Sequence, residues 1–421
     1  MKKIVSIALA VLAAGLSAFA AESISITATP RYPWNGKVDI ELQISGDDNV
    51  LYQVKFAGSN CIDKISLPVT KVSQVEYQGV NTIFMLPSGT HRLIWDAREE
   101  LGSSFVADKV VVIADVKRVD KTATYMVVDL TKGKGASSYP RGYLERMPEG
   151  GWTDTYKTRW LVLRRINAGS FTMGSATSAV GRDSDEDQHK VTLKKSFYIG
   201  VFSVTQRQWE LVMGTRPANF KNASCYEMRP VERVSYSMIR GASSGAKWPS
   251  SNSVDSNSFM GVLRNRVGLA FDLPTDAEWE YACRAGTTTS LNSNKNITST
   301  DKDDRVAEVG RYYYNGGSQN DSQVGLSGGT AKVGSYKANN WGLYDMHGNV
   351  WEWVLDWYVA HLGTTAVTDP VGGSSGSTRI VRGGSFGKKA KYCTSTNRGH
   401  NGAEPGSASW EYGFRLKVPV E

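Results

Sequence analysis

Along the first hundred residues the polar and apolar positions alternate. Ser23-Ile24-Ser25-Ile26-Thr27 does so, and Val38-Asp39-Ile40-Glu41-Leu42-Gln43-Ile44 repeats it after the turn-forming Pro33-Trp34-Asn35-Gly36. Period two places one face of each segment in a core and the other in water. Leu51–Phe56, Thr82–Leu86, His91–Trp95 and Lys109–Ile113 are further short strands between Gly, Asn and Asp. The spacing predicts a small β-sandwich of immunoglobulin type over residues 21–116, with Trp34 and Trp95 as core anchors. Residues 117–160 form a connector. It holds a strand-like Tyr125–Leu130, then a Gly- and Ser-rich stretch, Pro140 and Pro148-Glu149-Gly150-Gly151. It is expected to be partly ordered and laid on the second domain.

Residues 161–421 change character. Leu161–Ile166 is a strand. Thr205 with Gln208, and Thr275 with Glu278, stand three apart, the spacing of a capping box that opens a helix. The second helix should bury Trp279, Ala282 and Cys283 on one face and close at Gly286. Ser243–Ser258, Thr287–Thr300 and Asn315–Ser327 are rich in small polar residues and read as surface loops.

Composition sharpens this outline. Forty-two glycines with 12 Trp and 19 Tyr fit a loop-rich domain pinned by aromatics better than a helical bundle. Residues 1–20 read as a secretory signal. Lys2 and Lys3 precede an apolar run from Ile4 to Leu16, and Ala18-Phe19-Ala20 is a cleavage pattern. The chain is therefore expected to be exported, to the periplasm, cell surface or medium, with no transmembrane segment after cleavage. Loss of the two lysines takes the formal charge from +8 to +6. That mild balance, without a basic stripe or recognition module, argues against nucleic acid. Four cysteines, Cys61, Cys225, Cys283 and Cys393, permit two disulfides in three connectivities. No C-x-x-C, P-loop or His-Glu-x-x-His occurs. Gly-x-Ser-x-Gly around Ser243, Ser374 and Ser385 lacks the strand-to-helix setting of a nucleophile elbow. The acidic run Asp183, Asp185, Glu186 and Asp187 has no partner motif and reads as a solvated loop. Asp356, with Trp357 and Tyr358, is a candidate for the wall of a cleft.

Longer strings carry more. Ala168–Ser175, the two capped helix openings, Asn340–Trp353 (Asn-Trp-Gly-Leu-Tyr-Asp-Met-His-Gly-Asn-Val-Trp-Glu-Trp), Val381–Phe386 and Tyr412–Leu416 together resemble the sulfatase-modifying-factor family, which includes formylglycine-generating enzymes. The strings follow the family's order and cover nearly all of residues 161–421. The resemblance implies a compact, irregular α+β domain related to the C-type-lectin fold, so the whole chain is expected to be α+β, the immunoglobulin-like sandwich followed by that domain.

The resemblance also implies sites. The Asn340–Trp353 string is similar to a calcium loop, with carboxylates from Asp345 and Glu352 and backbone carbonyls from Gly348 and Val350. Calcium takes about six to eight oxygens, which such a turn can aim inward. The same string also reads as a structural turn; calcium is the cofactor expected. Formylglycine-generating enzymes hold copper between two cysteines spaced C-x4-C after the Gly-Gly-Ser-aromatic string. Here Cys393 matches the second and Lys388 stands at the first. Soft thiolates select Cu(I) and an ammonium cannot ligate it, so copper is not expected, and Cys393 is at most a residual catalytic candidate. Iron ligation of the His-x3-His kind has no counterpart among His91, His189, His347, His361 and His400. His189 is expected to be structural and His347 to point outward.

Three functions remain. One is a binding module for a protein or glycan, with Lys388, Lys389, Lys391, Thr394, Asn397 and His400 on its surface. Some retroelement-diversified binding proteins resemble this branch and vary this region. The second is a divergent oxidase acting on cysteine-containing proteins. The third is a surface-structural protein.

Overall fold

The computed structural model describes residues 23–47, 50–60, 66–74, 77–80, 84–105, 110–119, 122–148, 150–221, 225–316 and 329–420. The chain forms two compact units. One runs to Val128 and takes in Pro140–Thr155; the other holds Asp129–Tyr139 and Tyr156 onward. The 117–160 connector is thus divided between them. The proposed signal at 1–20, with Cys61, lies outside the described residues.

The smaller unit contains β1 (Ser23–Pro30), β2 (Lys37–Ser45), β3 (Tyr52–Asn60), β4 (Ser66–Pro68), β5 (Val72–Gln74), β6 (Tyr77–Val80), β7 (Phe84–Leu86), β8 (Gly89–Asp96), α1 (Ala97–Leu101) and β9 (Val110–Lys117). One antiparallel sheet runs β1-β2-β8-β5-β6; β3 heads the other, pairing with β4, β7 and β9. The alternation expected for Val38–Ile44 is met: Val38, Ile40, Leu42 and Ile44 are buried beside Leu93 and Trp95. Trp95 is fully buried, and its indole donates to Glu100 at 2.7 Å. Trp34 is half-buried against the same core. The next elements are β10 (Tyr125–Asp129), β11 (Arg141–Leu144) and α2 (Asp154–Thr158). β10 and β11 form an antiparallel pair.

In the larger unit β12 (Trp160–Ile166), β13 (Gly169–Met173), β14 (His189–Leu193) and β15 (Phe197–Gly200) precede five short helices: α3 (Gln206–Met213), α4 (Tyr236–Arg240), α5 (Phe259–Val267), α6 (Asp276–Arg284) and α7 (Asp304–Val309). Then come β16 (Trp351–Trp357), β17 (Val367–Thr368), β18 (Arg379–Arg382), β19 (Arg398–Gly399), β20 (Tyr412–Gly413) and β21 (Lys417–Pro419). β16 is central to a sheet ordered β19-β18-β16-β20. Both capping boxes form as expected, at Thr205 with Gln208 and Thr275 with Glu278. α6 closes where expected: Ala285 is its C-cap, and Gly286 follows at C′ with φ +89°. Its Trp279, Ala282 and Cys283 pack with Leu343, Met346 and Val354. The chain is mixed α and β. No helix among the described residues is long and apolar enough to cross a membrane.

Candidate functional site

The 383–393 segment is shaped by two glycines and a buried arginine. Gly384 has φ +78°, and a Cβ there would sit 2.5 Å from the Cys393 sulfur. Glycine is what lets the chain fold over that thiol. Cys393 is fully buried and donates weakly to the Ser385 carbonyl at 3.9 Å. Burial pushes its thiol up to about 12, which disfavours the thiolate that a nucleophile or a metal ligand requires. Lys388 turns elsewhere: its ammonium pairs with Glu411 at 3.1 Å.

His347 links this segment to a second thiol. Cys283, also fully buried, is 3.8 Å from His347 Nε2 and 3.6 Å from Ser395 Oγ. Burial pushes it up to about 12 as well. His347 does not point outward as expected; it is fully buried. Its Nε2 accepts from the Asn292 amide at 3.0 Å, which leaves Nδ1 to carry the proton and donate to the Cys393 carbonyl at 2.8 Å. Burial draws its pKa down to about 4. The reason is the turn: Gly348 has φ +76° and its α-carbon lies where any Cβ would strike the Arg311 carbonyl, so the loop folds inward and takes His347 with it. His189 is buried at the head of β14, where its Nδ1 meets the Asp187 carbonyl. Cys225, Cys283 and Cys393 are all free thiols, so no disulfide occurs among the described residues. In the native protein a thiol reagent should therefore leave Cys283 and Cys393 unmodified until denaturant is added. Mass-resolved labelling with and without urea checks this; rapid native modification of Cys393 would show that the thiol is accessible.

Below these residues sits an ion network that motif reading missed. Arg382 is fully buried between Asp276 and Glu280, and donates to the carbonyls of Ser395 at 3.1 Å and Asn397 at 2.7 Å. Glu280 also holds Arg284 at 2.9 Å, and Asp276 holds Arg398 at 3.0 Å. Burial opposes the charge on Asp276, yet Arg382 and Arg398 keep its carboxyl below the usual range. A buried charge without such partners would not persist. The signal was present in the sequence: arginine inside the apolar strings Ile380-Val381-Arg382 and Phe414-Arg415-Leu416.

The proposed surface residues divide. Lys388, Lys389 and Lys391 border solvent, but each is paired: with Glu411, with Asp301 at 2.6 Å and with Asp183 at 3.4 Å. Lys389, Lys391, Tyr392 and Arg182 line an open recess of about 550 Å³. Thr394 and Asn397, expected at the surface, are buried. Arg382 pulls the Ser395–Asn397 backbone inward, and the Asn397 amide donates to Asp183 at 3.0 Å. His400 stacks on Tyr358 with ring centres 3.6 Å apart. The acidic run is not a free loop: Asp185 and Glu186 are buried.

Of the four calcium-loop residues, Asp345 and Glu352 are both buried. Asp345 Oδ2 accepts from the Gly334 amide at 2.7 Å, while Oδ1 has no partner. Burial raises this carboxyl to about 6. Glu352 is more fully used. Oε2 accepts from Trp279 Nε1 at 2.7 Å and from Arg415, and Oε1 from Ser203 at 2.7 Å. An orphan carboxylate oxygen on Asp345 and one spare lone pair on Glu352 Oε1 are compatible with a hard cation.

Residues 158–418 match the sulfatase-modifying factor enzyme 1-like domain family. The chain is 28% identical over 282 residues to the formylglycine-generating enzyme of Mus musculus, covering 59% of this chain and 73% of that one. It is 34% identical over 203 residues to chaperone protein LppX of Paenibacillus barcinonensis, covering 42% and 67%. Among solved structures it is similar to Treponema denticola variable protein 1, with a TM-score of 0.48, 27% identity and coverage of 62% of this chain and 96% of that one.

Proposed function

The chain belongs to the sulfatase-modifying factor enzyme 1-like family, and from that premise we propose that it is an exported, calcium-stabilised recognition module without copper oxidase activity. One observation carries the reading. Where copper would need a second thiolate, Lys388 is bonded to Glu411, and the remaining thiol of Cys393 is sealed and protonated. A single buried thiol does not hold Cu(I). The open, charged and aromatic recess along Lys389, Lys391 and Tyr392 is the surface offered to a protein or glycan. Its cations are matched by acids, which weakens any pull on nucleic acid. The smaller unit serves in this reading as an immunoglobulin-like spacer or docking domain. The competing reading, a divergent oxidase, rests on the family's formylglycine-generating members.

The test is elemental mass spectrometry of the purified protein after exposure to calcium and copper. About one calcium per chain with no tightly held copper is the expected result. Stoichiometric copper lost in Cys393→Ser would overturn the non-oxidase reading.

Calcium would be held by Asp345, Glu352 and the carbonyls of Gly348 and Val350, and would staple the 345–352 turn. Asp345 makes this pH-dependent. Its folded pKa, about 6, lies above the reference 3.8. In calcium-free protein its contribution to stability is therefore full below pH 4 and is lost as pH rises through 6, a swing of about 2–3 kcal/mol. Asp345→Asn should abolish that swing. Calcium needs the ionised carboxylate, so it should raise the melting temperature of the parent protein above pH 6, less below it, and not in Asp345→Asn. Thermal melts from pH 4 to 8, with and without calcium, read all three. An equal calcium response in both proteins would remove Asp345 from the site.

A further inference from the structure

A second recess, of about 280 Å³, adjoins the lysine-lined one; Gly181 and Arg182 border both. The glycine makes this junction possible. Its φ is +78°, and a Cβ there would stand 2.9 Å from Lys391 Cβ, so a bare backbone is what lets the 178–182 stretch lie against Lys391. Thr394 and Thr396 border the smaller recess, each 4% exposed. Ser178, Gln188, Thr288 and Asn296 border it as exposed side chains, so the recess opens to solvent between them.

The charged groups of this recess are already engaged. Glu186 accepts from the Ser175 hydroxyl at 2.7 Å and from the Asp183 amide at 3.3 Å. Arg284 is held by Glu280 at 2.9 Å and by the Gly174 carbonyl at 2.8 Å. Arg182 faces Asp187 at 3.8 Å and donates to the Ser175 carbonyl at 3.4 Å. The uncharged groups at the mouth are not engaged. The hydroxyls of Ser178 and Thr288 and the side-chain amide of Gln188 have no hydrogen-bond partner among the described residues. A hydroxyl both donates and accepts, and a carboxamide does the same at its two ends. Ala179 and Ile297 add apolar wall, and Val180, 44% exposed, stands at the rim.

An ionic guest gains little where each charge it would meet has a partner. A protein partner anchors best through an aromatic or guanidinium group in a dry, well-packed pocket, and this one is walled mainly by hydroxyls and amides. A sugar ring matches it: hydroxyls around the edge donate and accept, and the C–H face is apolar. The volume is close to the lower bound of ligand sites, about 300 Å³, which suits one ring. Beyond Arg182 the open recess offers the Tyr392 ring, an amphipathic face on which a following sugar can lie. Building on the recognition reading above, we propose that the recess between Ser178, Thr288 and Thr396 holds the terminal residue of an uncharged glycan, whose chain leaves past Arg182 toward Tyr392.

Titration calorimetry and saturation-transfer NMR on the whole protein test this with cellotriose, mannotriose and chitotriose, and with sialyllactose and trigalacturonate as charged counterparts. At least one neutral trisaccharide should bind, and its affinity should change by less than about twofold between about 50 and 500 mM salt, since screening acts only on charge. Ser178→Trp fills the recess from an exposed position and should weaken binding at least about tenfold by clash, while the protein melts as the parent does. Thr288→Val keeps the volume, removes one hydroxyl and should weaken binding about three- to tenfold. Binding lost in Tyr392→Ala but intact in a folded Ser178→Trp would overturn the proposal and leave recognition to the lysine-lined recess alone. Binding of the acidic sugars only, with a steep salt dependence, would overturn it too. So would silence of all five probes, which leaves a protein as the partner in the recognition reading. Failure of the recognition reading itself shows separately, as copper held by the parent chain.

Discussion

Arg382→Met is expected to destabilise the larger unit by about 3–5 kcal/mol, the cost of stranding buried charges whose partner is removed. Two carboxylates depend on this guanidinium. Asp276 would keep Arg398 and Glu280 would keep Arg284, but each would lose its contact with a fully buried cation. Two carbonyls, of Ser395 and Asn397, would lose their donor as well. Methionine fills much of the volume, so cavity formation contributes little, and the loss is mainly electrostatic. The control is Lys389→Met. Lys389 and Asp301 form a closer contact than many buried pairs, 2.6 Å, yet both are half-exposed. Solvent and salt screen such a pair, and its removal should leave the urea midpoint almost unmoved. Urea unfolding followed through the tryptophans reads both variants; Trp279 lies 5.2 Å below the Arg382 guanidinium and reports directly on its neighbourhood. The same substitution has a chemical readout. Ser395–Asn397 comes just after Cys393, so releasing those carbonyls should let a thiol reagent reach Cys393 without denaturant. A midpoint as little moved by Arg382→Met as by Lys389→Met, with Cys393 still silent, would mean the network is dispensable.

The contrast between these pairs marks what can be read in a chain of letters. Capping boxes at Thr205 and Thr275 were legible because both partners sit three residues apart, and the alternation over Val38–Ile44 because a strand has period two. The family strings located the segments that matter. What they did not disclose is pairing across distance. Glu352 meets Arg415 and Asp276 meets Arg382 only after the domain closes, 63 and 106 positions apart by residue number. The errors stem from that. Thr394 and Asn397 were placed at the surface because small polar residues usually lie there; a buried arginine, whose partners no local pattern reveals, draws that stretch inside. His347 was expected to face water because it occupies a turn, but the backbone at Gly348 fits so tightly against Arg311 that the turn itself is core.

Lys388→Cys should convert a chain that holds no tight copper into one that binds about one Cu(I). The reason lies in the ligand set. Cu(I) is soft and is held well by paired thiolates. Cys393 already stands five residues on, beneath Gly384, and what is missing is the partner at 388. Its burial raises the thiol to about 12, which keeps it protonated when alone, but metal binding itself expels thiol protons, so a second sulfur and the cation together can offset that penalty. The substitution also frees Glu411, which is 13% exposed and now paired with Lys388. Leaving that acid unpaired costs about 1 kcal/mol or less at such a partly wet site, and Glu411→Gln in the same chain removes the cost. Copper stoichiometry under anaerobic, thiol-reduced conditions then separates the cases. The parent protein and Lys388→Ser should retain less than about a tenth of an equivalent against a competing chelator, Lys388→Cys about one, and Lys388→Cys with Cys393→Ser again almost none. If the parent chain matches Lys388→Cys, the lysine is no obstacle and the oxidase reading returns. If Lys388→Cys stays empty while folded, the segment around Cys393 has departed from copper-binding geometry beyond the single replaced side chain, and the recognition reading gains a second, structural reason.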